Sequence, residues 1–153
     1  LSAHKQQNAV HTAALFVGLS ALVATSAYGL FGMSGVAWAA DEPDKEIAPG
    51  ITSVASYGHT PGHNSHIISS GNSKVFVQAD VTNMPVFVRN PGWHLMFDQD
   101  ANAAEATRRK VYDMLASERM MVQGFHYPFP ALAHIEKTST GYRETMVPWS
   151  PTL

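Results

Sequence analysis

The chain has 153 residues, ten basic and twelve acidic side chains, a formal net charge of −2 and no cysteine. That length gives one modest domain plus something else, and a near-neutral balance without a basic stripe argues against nucleic acid as a partner. Without cysteine there is no disulfide, no thiolate ligand and no thiol nucleophile.

Charge is unevenly placed. Lys5 is the only charged residue before Asp41, and Thr12 to Ala40 carry no charge at all. About 20 such residues cross a bilayer as a helix. Ala14 and Gly18, and Ser20 and Ala24, are small residues four apart, which suits close helix packing in lipid. The expectation is an N-terminal segment 1–11 followed by a single transmembrane helix over 12–40. Lys5 before it and Asp41-Glu42 after it place the N-terminus in the cytoplasm and the remainder in a periplasm or equivalent lumen. Two other readings stand beside it. Ala37-Trp38-Ala39 has the small-x-small form of a signal-peptide cleavage site. The run can also be a buried core helix, although it is apolar on every side rather than along one stripe.

Residues 41–50 read as a polar linker, since two prolines and a cluster of charges argue against a regular element. Ile51 to Ser56 is strand-like. It leads into Tyr57-Gly58-His59-Thr60-Pro61-Gly62-His63-Asn64-Ser65-His66, which holds three histidines. At spacings of four and three these would share a helix face, but Pro61-Gly62 forbids a helix and predicts a tight turn. Gly71-Asn72 is a hairpin signal joining His66–Ser69 to the strand Lys74–Asp80. Pro85 to Val88 reads as a short edge segment.

Asp100 reads as an N-cap, and Ala101 to Glu118 as a helix with Thr107, Val111, Met114 and Leu115 on its buried stripe. Arg108, Arg109 and Lys110 read as a solvated face. Met120 to Gly124 is a strand, and His134–Lys137 with Tyr142–Val147 form a terminal hairpin around Ser139-Thr140-Gly141. Met114, Met121, Phe125, Tyr127 and Phe129 read as core.

From Ile47 to Pro148 the chain resembles the C-terminal half of metallo-β-lactamase-fold hydrolases, in the branch of organophosphate hydrolases and lactonases. The resemblance is carried by Pro49-Gly50-Ile51, Gly58-His59-Thr60-Pro61-Gly62-His63, Ala79-Asp80, Arg108-Arg109-Lys110, Phe125 to Pro130 with His134-Ile135, and Gly141-Tyr142-Arg143. It implies an α/β fold: half a metallo-β-lactamase-like layer over 51–153, a mixed sheet with one main helix. It implies His63, Asp80 and His126 as metal ligands, with Asp80 bridging two metals; two imidazoles and a carboxylate suit zinc or a non-haem metal. The resembled family's His-x-His-x-Asp-His signature does not occur here, so three of seven ligand positions are present. Ala79 stands where the family generally has glycine, and Asn64 where threonine is usual. The three residues can be relics held by hydrogen bonds, ligands of one weakly bound metal, or half of a site completed by a second chain.

Two functions follow as expectations. The first is a non-catalytic accessory subunit, anchored by the membrane helix and bound, through that helix and the exposed face of the half-domain, to other subunits of a larger membrane complex such as a respiratory or photosynthetic one, with no catalytic residue and no cofactor. The second is a zinc-dependent hydrolase of esters, lactones or phosphotriesters, with His63, Asp80 and His126 as ligands and His134 and Tyr142 near the substrate.

Overall fold

The computed structural model describes residues 44–149, which form one seven-stranded sheet with two helices. The strands are β1 (Glu46–Ala48), β2 (Ile51–Ala55), β3 (Asn64–Ser70), β4 (Ser73–Val77), β5 (Met121–Gln123), β6 (Leu132–Thr138) and β7 (Gly141–Met146). They lie side by side in chain order. Every neighbouring pair is antiparallel except β4 and β5, which are parallel. A parallel pair needs a crossover, because the chain must return to the end where it began. Here the crossover carries α1 (Val86–Arg89) and α2 (Ala101–Glu118). The sheet is therefore mixed, with one main helix, as the sequence implied.

Register explains where the core sits. Thr52, Ile67, Phe76, Val122, Ala133 and Met146 stand across from one another along the sheet. Side chains alternate between faces along a strand, so Phe76 and Val75 point opposite ways. Phe76, Val122 and Ala133 pack with Val88 of α1 and Val111, Tyr112 and Leu115 of α2. Val75, Met121 and Leu132 form a second buried cluster, joined by the half-buried Val147. Both faces of the sheet thus carry buried apolar side chains.

Several expectations needed correction. Residues 41–50 were expected to hold no regular element, yet Glu46–Ala48 pairs with β2, and Glu46 also accepts a bond from Gly50 N. The charges there sit on an edge strand, where exposure is harmless. Pro85–Val88 begins a helical turn instead of an edge strand, because Pro85 (φ −53°) is preset for the first turn and Phe87 and Val88 fold inward. Phe125 and Phe129 are exposed, unlike Tyr127 and Met121, which are buried. The described residues contain no helix long and apolar enough to cross a membrane. The membrane helix expected over 12–40 lies outside them.

Arg108, expected on a solvated face, is buried instead. It is 1% exposed, one of the largest fully buried side chains. Its Nε donates to Val81 O at 3.0 Å, and its Nη1 to Pro91 O at 2.9 Å and Trp93 O at 2.7 Å. Its Nη2 lies 3.6 Å from Asp98 Oδ2, with both side chains buried. The guanidinium also stands over the Phe87 ring, 5.0 Å from its centroid. Arg109, by contrast, is exposed and paired with Glu105 four residues back.

Stability should reflect this difference. Arg108→Met leaves Asp98 buried without its cation and three carbonyls without their donor, so it should lower stability by about 3–5 kcal/mol. Arg109→Met should cost less than about 1 kcal/mol, as exposed pairs do; urea unfolding of both variants measures the contrast. Ala79 sits at φ 50°, in the left-handed region. Ala79→Gly should raise stability by about 0.5–1 kcal/mol in the same assay, because an L side chain costs roughly 1–2 kcal/mol there and glycine gives part of that back in chain entropy.

Candidate metal centre

Sheet topology brings the three predicted ligands to one end of the sheet. β3 begins where β4 and β5 finish, since His66 pairs with Val77 and Val77 with Gln123. His63 immediately precedes β3. Asp80 lies in the turn three residues beyond β4, not at the strand's last position. His126 lies in the connection from β5 to β6. Three separate connections thus converge on one rim.

The β2–β3 loop is pinned by α2. Asp100 N donates to Gly58 O at 3.0 Å, and Gln99 N to His59 O at 3.1 Å. The Thr107 hydroxyl donates to Tyr57 O at 2.6 Å. Gly58 (φ 131°) approaches the helix so closely that a Cβ there would stand 2.2 Å from Ala104 N. Only glycine permits that contact. Asp100 caps the helix as the sequence predicted, accepting from Ala103 N at 2.9 Å.

His63 is 8% exposed. Its Nδ1 lies 2.9 Å from Ser56 O and 2.7 Å from Ser56 Oγ. Its Nε2 accepts from Asp80 N at 3.1 Å. That pairing makes His63 the Nδ1–H tautomer, with both ring nitrogens engaged by the protein. Desolvation lowers its pKa, outweighing the opposing Ser56 backbone bond and the Asp80 charge. The Asp80 carboxylate is bonded to His126, with Nε2 3.0 Å from Oδ1, both side chains part-exposed. His59 Nε2 stands 4.0 Å from the other oxygen, Oδ2. The His59 and His63 rings meet edge to face at 5.9 Å.

The donor chemistry, two imidazoles and a carboxylate, suits zinc. The geometry does not supply a cage: among the described residues no three histidine or acidic side chains come together closely enough to hold an ion. His63 would have to release Asp80 N before its Nε2 could serve. His134 and Tyr142, expected near the substrate, lie elsewhere. His134 lines a groove of about 840 Å³ between β6 and the C-terminal end of α2, with Asp113 and Lys137. Tyr142 donates to Asp113 at 2.8 Å. Sequence reasoning missed His59 and Asp98 as members of the site.

His63 and His66 both have pKa values lowered by burial. An unfolded imidazole titrates near 6.5, so below that pH the unfolded chain binds more protons than the folded one. Their contribution is whole above about pH 6.5 and is lost as pH falls through the depressed folded values. Urea midpoints should be level between about pH 7 and 8 and decline below about 6.5, and His66→Gln should flatten part of that decline.

No family model and no curated protein matches this sequence. Solved structures do match. A dizinc quorum-quenching lactonase, AidC, superposes with a TM-score of 0.68 at 26% identity, over 71% of this chain and 37% of its own. AbOPH, a hydrolase of the beta-lactamase superfamily, gives 0.66 at 22% identity, over 70% and 38%. A probable metal-dependent hydrolase from Staphylococcus aureus gives 0.56 at 19%, over 73% and 39%. The chain spans less than two fifths of the length of these three structures. Residues 44–149 have a partial metallo-β-lactamase fold, the fold the sequence resemblance implied.

Proposed function

We propose that this chain carries the C-terminal half of a metal-dependent hydrolase centre, acting on esters, lactones or phosphotriesters once the remaining donors are supplied from outside the described residues. The observation that carries the reading is the meeting of His63, Asp80 and His126 on one rim from three separate connections, with Asp80 and His126 in direct contact. The likeness to a dizinc lactonase adds the choice of zinc and of substrate class. Zinc held by these residues together with the remaining donors would supply Lewis-acid polarisation of a carbonyl or phosphoryl oxygen and activation of water near neutral pH. His126 and Asp80 are the part-exposed members of this rim, and His63 is the buried one.

A second reading is a non-catalytic accessory subunit of a membrane complex, joined to its partners through the apolar segment 12–40. What favours it is that both His63 ring nitrogens are bonded within the protein, Nε2 to Asp80 N and Nδ1 to Ser56. Zinc titration by calorimetry on the full chain separates the two. The hydrolase reading expects zinc binding that weakens tenfold or more in His126→Ala and in Asp80→Asn, in line with the 10–100-fold losses seen even for groups that only support a ligand. Zinc binding that is absent, or indifferent to both variants, would overturn it.

A further inference from the structure

We infer that His59, held by Asp98, is a positioning residue for the Asp80 carboxylate, a role that neither the motif nor the ligand set implied by the resemblance assigns. It rests on the hydrolase reading only for the purpose the positioning serves.

The geometry fixes the imidazole from behind. His59 Nδ1 is 2.9 Å from Asp98 Oδ1, and the Asp98 side chain is 1% exposed. Asp98 is in turn faced by the buried Arg108 and accepts a long bond from Leu95 N at 3.4 Å. A carboxylate set against a guanidinium is an acceptor, so Nδ1 carries the proton and Nε2 is the free end of the ring. That end points to the site, 4.0 Å from Asp80 Oδ2. The distance exceeds a direct hydrogen bond, and the edge of the ring bounds the carboxylate on that side. His126 grips the other oxygen, Oδ1, at 3.0 Å.

Asp80 thus sits between two imidazoles, each addressing a different oxygen. His126 is half exposed and comes from the β5–β6 connection, whereas His59 is 21% exposed and backed by a buried ion pair. The rigid partner is therefore His59. A buried carboxylate behind a histidine fixes both its tautomer and the plane of its ring, the arrangement that commonly orients site imidazoles. The same loop bonds to the start of α2 through His59 O, so backbone and side chain are fixed together.

Imidazole-edited nitrogen NMR on the labelled full chain, without metal, tests this. His59 should appear as the Nδ1–H tautomer. His59→Phe should shift the His126 ring resonances through Asp80 while leaving those of His134 in place, and His59→Gln, which keeps a polar atom at the ε position, should restore most of the shift. An Nε2–H tautomer in the wild type overturns the inference, and so does a natively stable His59→Phe with His126 unmoved. If His59→Phe fails to fold, the wild-type tautomer and the His59→Gln spectrum decide the matter. Adding zinc alone to the wild type then reads the other question separately. Resonances that respond as described without any zinc binding would sink the hydrolase reading and leave His59 in its positioning role.

Discussion

The buried Arg108 guanidinium is the contact on which the rest of the structure depends. It is donor to three carbonyls spread over the crossover, at Val81, Pro91 and Trp93, and counterion to Asp98. The crossover has to carry the chain from the end of β4 through two helices to the start of β5, and much of it is irregular. Irregular backbone leaves carbonyls without sheet or helix partners, and buried carbonyls must find donors. One side chain with five N–H groups in a fixed plane satisfies several at once, which a lysine could not do. The consequence reaches the rim. By holding Asp98, Arg108 sets the group that orients His59, so the crossover and the site are fixed by the same charge.

Much of the scaffold was legible in the sequence because local chemistry and tertiary need agreed. Asp100 and the following apolar spacing marked α2 to its ends. Gly71-Asn72 marked a two-residue turn, and Gly71 does take a positive φ of 57°. Ser139-Thr140-Gly141 marked the last hairpin. The failures occurred where one residue served two demands. Arg108 sits on the stripe of Ala104, Val111, Tyr112 and Leu115, at helical spacing, but its charge and its neighbours Arg109 and Lys110 made it read as surface. Had the position been judged by its phase on the helix instead of its polarity, the buried cation would have been visible. Val86-Phe87-Val88 has strand propensity, yet Pro85 starts a turn of helix there and Val88 joins the core.

The site was less legible, for a different reason. Nothing in the spacing of His63, Asp80 and His126 brings them together, since 46 positions separate the last two. Only the resemblance to a known fold named them, and only the register of β3, β4 and β5 puts their connections on one rim. His59 had a signal of its own in being four positions before His63. Asp98, its partner 39 residues away, had none, because a carboxylate in a loop looks the same whether buried or solvated. Ala79 shows the opposite case. The departure from glycine was legible, and the structure gives its physical meaning: the turn into Asp80 demands a left-handed backbone that alanine adopts at a cost.

The state of His63 bears on how such a half-site behaves. Its Nε2 accepts from Asp80 N, and its Nδ1 is bonded to Ser56, so the ring is satisfied without any ion. A metal arriving at this rim does not meet an idle ligand. It would have to replace a backbone hydrogen bond in a part-buried setting, and leaving Asp80 N without a partner there would cost up to about 1–3 kcal/mol unless the turn shifts. A loss of that size is roughly a tenfold to hundredfold reduction in affinity at 25 °C. The turn that would have to shift is the one strained at Ala79. Strain and competition therefore act at the same place, between Val77 and Asp80, and that short stretch sets how readily His63 can be turned from a structural histidine into a ligand. His59 and Asp98 stand apart from this competition, because their bonds do not involve Asp80 N. They hold the carboxylate's surroundings steady whichever partner His63 takes.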